Sequence, residues 1–190
     1  MMHDILIIDD VVDIETQNLI ENSIFSAETQ WTFGRTVFSH SDPILNVEAQ
    51  KKSMNFTKSL FRVDDKFSVD DISIYTKPLH NLNVKKLFTS RIQLHLPIIT
   101  DKQYGLPHID GVRNFPYKVA VYYVNDSDGD TVFYKETTKE ISPNNIPLDL
   151  TVYKTVSPKK GRLIVFSGDI YHSSGKPKND IRCIINYNFV

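Results

Sequence analysis

Apolar residues recur with two different periods along this chain. In the first third the spacing is mostly helical or weak; from about residue 89 onward it alternates. Residues 5–8 (Ile-Leu-Ile-Ile) form a short β-prone run ended by Asp9 and Asp10, which reads as a first strand. Asp13 then has the character of an N-cap, and Ile14, Leu19, Ile20 and Ile24 follow at helical spacing, so a helix over 13–26 is expected. Residues 31–33 and 36–38 alternate as short strands do, and Asp42-Pro43 signals a turn. Segment 46–61 reads as either helix or loop. Leu82, Leu87 and Phe88 suggest a helix over 81–88.

Beyond that point Ile92, Leu94 and Leu96 alternate with Arg91, Gln93 and His95, as in a half-buried strand ended by Pro97. Residues 118–124 form a second strand. A turn at 125–130 returns 131–134 as its expected hairpin partner. Further strands are expected at 150–156, 162–166 and 182–189, separated by turns at 158–161 and 167–169 and by a Gly/Pro/Lys loop after His172. Many short strands with helices only near the N-terminal end predict a mainly β fold, a double-stranded β-helix (jelly roll) with the N-terminal helices packed on one sheet. A single domain over 1–190 is expected, with 1–88 carrying the N-terminal strand, helix and embellishments and 89–190 the jelly-roll core.

Composition narrows the class. A length of 190 residues with 41% hydrophobic and 24% charged residues suits one globular domain with a sizeable core. The net charge of -1 implies no broad attraction to nucleic acid or membrane, and the clusters Lys159-Lys160 and Lys176/Lys178 read as a solvated face. The single cysteine, Cys183, forbids an internal disulfide and lies in an apolar run, as a buried small hydrophobe does. The absence of a long apolar run and of a basic, apolar leader predicts a cytoplasmic protein, in the host cytoplasm if a phage encodes it. Asp64-Asp65 and Asp70-Asp71 stand among polar residues without a nearby histidine and read as solvated loop charges.

Chemistry concentrates in Pro107-His-Ile-Asp-Gly111. On a strand, His108 and Asp110 would share a face, because side chains alternate with period 2. His172 supplies a second imidazole from far along the chain, at the expected start of a loop. Two histidines and a carboxylate form the facial set of non-haem Fe(II) oxygenases. Arg182 opens an otherwise apolar strand, and an inward-facing arginine is costly unless it meets an anion. Its planar guanidinium is suited to a carboxylate. Alone, each histidine also reads as a hydrogen-bonded structural imidazole, and Arg182 as a strand-edge charge like Arg162.

Taken together, His108-Ile-Asp110, His172 and Arg182 resemble the 2-oxoglutarate/Fe(II)-dependent dioxygenases of the prolyl 4-hydroxylase-like branch. The resemblance runs through about 89–190. Tyr122-Tyr-Val-Asn125 with Asp128-Gly-Asp-Thr-Val-Phe133 is similar to that branch's Tyr-Leu-Asn…Gly-Gly-Thr-x-Phe hairpin, with Asp130 standing where a second glycine is common. Ser157-Pro-Lys-Lys-Gly-Arg-Leu-Ile-Val-Phe166 is similar to its strand before the distal histidine. The whole run is similar to small bacteriophage-type members.

The resemblance implies Fe(II) on His108, Asp110 and His172, with no catalytic residue beyond the metal centre. It implies 2-oxoglutarate and O2 as co-substrates, with ascorbate as an optional reductant. Arg182 would bind the distal carboxylate of 2-oxoglutarate and Tyr123 would assist. Tyr123 also reads as a plain core aromatic, and His95 as a structural histidine; each is a co-substrate contact only by resemblance. Asn186, four residues after Arg182 on the same strand face, is a candidate lining residue, and Tyr104 a candidate at the pocket mouth. Residues 112–115 and 30–80 are expected to determine the primary substrate. Two other classes stay open: a non-oxidative cupin-type metalloenzyme using Zn or Mn, and a non-catalytic jelly-roll binding module.

Overall fold

The computed structural model describes residues 4–34, 55–63, 66–99, 104–110, 115–139 and 149–190. Helix α1 (Ile14–Ile24) starts where Asp13 accepts the Thr16 backbone N–H at 2.8 Å, as the N-cap pattern predicts. Strands account for most of the remaining regular structure. They are β1 (Leu6–Ile8), β2 (Thr32–Gly34), β3 (Asn55–Arg62), β4 (Phe67–Ser68), β5 (Leu87–His95), β6 (Lys118–Tyr123), β7 (Thr131–Thr137), β8 (Val152–Val156), β9 (Leu163–Ser167), β10 (Ile170–Ser174) and β11 (Arg182–Phe189).

The large sheet has the order β1-β9-β6-β11-β5-β3-β2, with β4 on β3; the small sheet has the order β10-β7-β8. All pairings are antiparallel. The two sheets face each other without closing into a barrel, which is the jelly roll expected from the alternating pattern.

Alternation along the strands creates a core between the sheets and another on the outer face of the large sheet. Between the sheets lie Val119, Val121 and Tyr123 of β6, Ile164 and Phe166 of β9 and Ile184 of β11, against Phe133, Val156 and Ile170 of the small sheet. The opposite face of the large sheet presents Ala120, Tyr122, Leu163, Cys183, Ile185 and Tyr187 to Ile20 and Ile24 of α1. Each fully buried aliphatic side chain there stabilises the fold by about 1.5–3 kcal/mol. Burial also pushes the Cys183 thiol up, which keeps it protonated. Asp9 ties β1 to the turn before β9 through Arg162 at 2.6 Å and Lys159 at 3.2 Å; these cations hold its carboxyl down at about 2.

Several local expectations are corrected by long-range pairing. Segment 81–88 is not a helix: the Lys85 and Lys86 N–H groups bond Val190 O, and Phe88 already belongs to β5. A single helical turn forms upstream instead, at Ser73–Thr76, where Asp71 accepts the Ser73 N–H at 2.8 Å. The end of segment 46–61 is strand β3, because β5 offers it an edge from Asn55↔His95 to Arg62↔Thr89, interrupted by a bulge at Leu60. Strand β7 is not the hairpin partner of β6, whose two edges are taken by β9 and β11; the chain crosses to the small sheet. Asn125 anchors that crossing by accepting from Cys183 N and donating to Ile181 O. Residues 36–38, Asp42-Pro43 and Asp64-Asp65 lie outside the described residues. Asp70 and Asp71 are exposed, as expected of solvated charges.

Gly161, in the turn before β9, has φ +78°, and a Cβ there would meet the buried Gln17 amide at 2.5 Å. Gln17 is held by Asp10 and by Val12 O. Gly161→Ala is therefore expected to cost at least about 1–2 kcal/mol, the left-handed penalty alone. Urea denaturation monitored by circular dichroism measures it, and an unchanged midpoint would contradict the assigned turn.

Candidate metal centre

His108 and His172 come together through the backbone. They form an isolated antiparallel bridge in which each N–H donates to the other's C=O at 2.9 Å. Directly opposed residues place side chains on one face, and the two imidazole centroids lie 4.5 Å apart. His172 sits inside strand β10, not at the start of a loop as the pattern suggests. His108 and Asp110 do not share a regular strand either; beyond the bridge the chain bends at Asp110. The carboxylate still meets the pair, with Oδ1 at 3.9 Å from His108 Nε2 and Oδ2 at 3.6 Å from His172 Nε2. One ligand atom from each of the three lies within 4.8 Å of the others, an arrangement that can hold a metal ion.

The imidazoles are oriented from behind. His108 Nδ1 lies 3.0 Å from Leu106 O, and His172 Nδ1 lies 3.2 Å from Ile170 O. A proton on each Nδ1 leaves the Nε2 lone pair directed at the cluster, the tautomer a metal needs. Burial pushes His108 down to about 4, with His172 adding to the shift, so it is neutral near pH 7. Burial works to raise the Asp110 carboxyl, but His172, Arg91 and His108 overcome it and hold the group well below the carboxylate range. Asp110 is thus an anion beside the neutral His108 imidazole.

Large-sheet side chains support that anion. Asn186 Nδ2 donates to Asp110 Oδ2 at 2.7 Å, and Arg91 Nη2 to Oδ1 at 3.2 Å. Asn186 and Arg91 are directly paired across β11 and β5. Asn186 lines the pocket as expected, but its amide N–H is used by the acid. Arg91 has no motif to mark it, and the alternation of β5 reads it, with Gln93 and His95, as the polar side of a half-buried strand.

Arg182 lies in the same pocket, only 2% exposed. Its Nε donates to Gly129 O at 2.8 Å and its Nη2 to Thr131 Oγ1 at 2.9 Å, while Nη1 has no hydrogen-bond partner. Among the described residues no carboxylate lies within ion-pair distance of it. Burial lowers its pKa, with Tyr123 opposing, but an arginine stays charged. Tyr123 is fully buried and donates to Thr131 Oγ1 at 2.6 Å. Thr131 is thereby the joint between Tyr123 and Arg182, a role its bland position in a β-run did not reveal.

The pocket, partly open to solvent, holds the His-Asp-His cluster at one side and Arg182 with Thr131 at another. His95 is paired with Arg182 across the sheet, so it faces the same way, and burial pushes it down to about 3; it is neutral, with Nε2 unpartnered. Tyr104 is not at this pocket. It bridges to Gly175 and packs against Val132, Tyr134 and Tyr171 on the outer face of the small sheet.

Comparisons with known proteins locate this architecture. No family model and no curated protein matches the sequence. Solved structures do match over nearly the whole chain. A prolyl-4-hydroxylase of Pseudomonas putida is 13% identical with a TM-score of 0.56, covering 99% of this chain and 92% of that one. The non-haem alpha-ketoglutarate-dependent epimerase SnoN from nogalamycin biosynthesis is 13% identical with a TM-score of 0.60, covering 99% and 78%. The viral collagen prolyl hydroxylase of Paramecium Bursaria Chlorella virus-1, in its 2-oxoglutarate complex, is 13% identical with a TM-score of 0.55, covering 98% and 96%. The fold is that of the 2-oxoglutarate/Fe(II) oxygenases, prolyl hydroxylases among them, as the sequence resemblance implies.

Thr131→Val keeps the shape of the joint but removes its hydroxyl, leaving the Tyr123 O–H and one Arg182 N–H buried without an acceptor. A loss of about 2–6 kcal/mol is expected from two such groups at about 1–3 kcal/mol each, read from chemical denaturation. A neutral substitution would mean that the joint is not formed.

Proposed function

We propose that this chain is an Fe(II)- and 2-oxoglutarate-dependent dioxygenase, folded as one domain over 1–190, that hydroxylates a substrate for which peptidyl proline is the resemblance-based guess. The observation that carries the reading is a buried arginine with an unpartnered Nη1 in the same pocket as a His-Asp-His cluster. An isolated buried cation costs several kcal/mol. A dianion that chelates a metal at one end and meets Arg182 at the other removes that cost.

The residues present fit both groups. His108, Asp110 and His172 would hold the iron through two Nε2 lone pairs and a carboxylate, the donor set of the facial triad. Arg182 would take the distal carboxylate of 2-oxoglutarate, and the Thr131 hydroxyl proton, not needed by Tyr123 or Arg182, is available to the same group. Tyr123 acts on this berth through Thr131. His95, neutral beside Arg182, can donate a hydrogen bond without adding charge. When bound, iron with 2-oxoglutarate supplies the oxidising power, consuming O2, releasing succinate and CO2 and placing one oxygen atom on the substrate. The protein's own part is to fix ligand direction, neutralise charge and exclude water from the pocket. A non-oxidative cupin or a binding module has no evident use for Arg182 in this position.

Anaerobic calorimetry tests the reading. Metal-loaded protein is expected to bind 2-oxoglutarate, and Arg182→Met to weaken that binding at least about tenfold, the value of one charge-assisted hydrogen bond. Absence of 2-oxoglutarate binding to the metal-loaded wild type would sink the proposal.

A separate assay addresses turnover. His108→Ala and Arg182→Ala are each expected to abolish succinate release. Undiminished release from either variant would remove that residue from its role.

A further inference from the structure

Resting on the dioxygenase reading, the charges of the pocket point to the class of its primary substrate. Arg91 has one carboxylate neighbour, Asp110, at 3.2 Å. Its Nε is buried without a partner, while its side chain keeps 31% exposure, so the guanidinium spans from the cluster to the solvent side. Gln93 lies two residues along β5 on the same face, 5% exposed, and lines the pocket with its Nε2 also unpartnered. Both unpartnered atoms are donors. Buried donors without acceptors cost about 1–3 kcal/mol each, so their natural complement is an acceptor-only group.

Charge balance gives that acceptor a sign. A divalent metal, the Asp110 carboxylate, the 2-oxoglutarate dianion and Arg182 together sum to zero: +2, -1, -2 and +1. The charge of Arg91 is then left over, because its one acidic neighbour has become a metal ligand. Among the described residues no other acid pairs with it. An uncompensated cation at the edge of the pocket, in contact with Asp110 on its wall and partly exposed to solvent, attracts an anion.

We propose that Arg91, with Gln93 beside it, binds a carboxylate of the primary substrate, so that the hydroxylated molecule, a prolyl peptide included, is one that carries a free carboxylate. A carboxylate is acceptor-only and planar, and can take the Nε–H of Arg91 together with the Gln93 amide.

The test uses protein loaded with Zn(II) and 2-oxoglutarate, which binds but does not turn over. Ligand-observed NMR compares matched probes: N-acetylglycine with N-acetylglycinamide, N-acetylproline with N-acetylprolinamide, and benzoate with benzamide. The acid of at least one pair is expected to bind at least tenfold more tightly than its amide, alongside 2-oxoglutarate. Arg91→Gln should erase the preference, and Arg91→Lys should restore part of it. If Arg91→Gln disturbs loading, the acid-to-amide ratio in the wild type and in Arg91→Lys still decides the matter. Equal binding within every pair, no binding by any acid, or acids that bind only by displacing 2-oxoglutarate from Arg182 would each overturn the proposal. Loading is measured first: failure of Zn(II) and 2-oxoglutarate to bind would refute the dioxygenase reading itself, and this proposal with it.

Discussion

Two backbone hydrogen bonds between His108 and His172 govern the arrangement of the whole site. They join a short segment outside the regular strands to β10 of the small sheet. The bridge puts both imidazoles on one face and leaves the bend at Asp110 to carry its carboxylate toward the large sheet, where Arg91 and Asn186 receive it. The small sheet thus contributes His172 and holds His108 through the bridge, and the large sheet contributes the support of the acid. Neither could assemble the cluster alone, and the apolar layer of Phe133, Phe166 and Ile184 keeps the two in register.

That layer also explains why the polar groups are so strongly perturbed. His95, His108, Asp110 and Arg182 lie within or beside an inter-sheet core with little water. The same burial that keeps His95 and His108 neutral makes the Arg182 cation expensive. Opposite consequences follow from one cause: a neutral imidazole can donate a lone pair to a metal, and an undersolvated guanidinium seeks an anion. The joint through Thr131 and the contact to Gly129 O hold that guanidinium still. Gly129 has a further reason to be glycine, since a Cβ there would meet Arg182 Cδ at 2.9 Å.

Local pattern reading succeeded wherever the decisive contacts are close in sequence. The Asp13 cap, helix α1, the alternation in β5, β6, β9 and β11, and the burial of Cys183 follow from nearest-neighbour rules. It failed where a strand was captured by a distant edge. β3 lay almost wholly inside a segment that read as helix or loop, and its pairing with β5 depends on partners from 27 (Arg62↔Thr89) to 40 (Asn55↔His95) residues away. The 81–88 stretch had helical apolar spacing, but Val190, at the other end of the chain, took its backbone groups. A turn-rich 125–130 suggested a hairpin, but both edges of β6 were already occupied.

The residues His108, Asp110, His172 and Arg182 were legible in the sequence because their chemistry is unusual for their surroundings: charged or metal-binding groups among apolar strands. Thr131, Arg91 and Gln93 were not. A threonine in a β-run and polar residues alternating along a strand are ordinary, and become meaningful only when a sheet sets them opposite particular partners. The sequence by itself therefore determined the fold class, the helix start and the candidate ligands, since propensity, capping and period depend on near neighbours. Tertiary structure alone decided which edges pair, that β7 crosses between sheets, and that His108 meets His172. Those outcomes turn on competition among distant backbone donors and acceptors, for which one-dimensional order carries no measure of proximity.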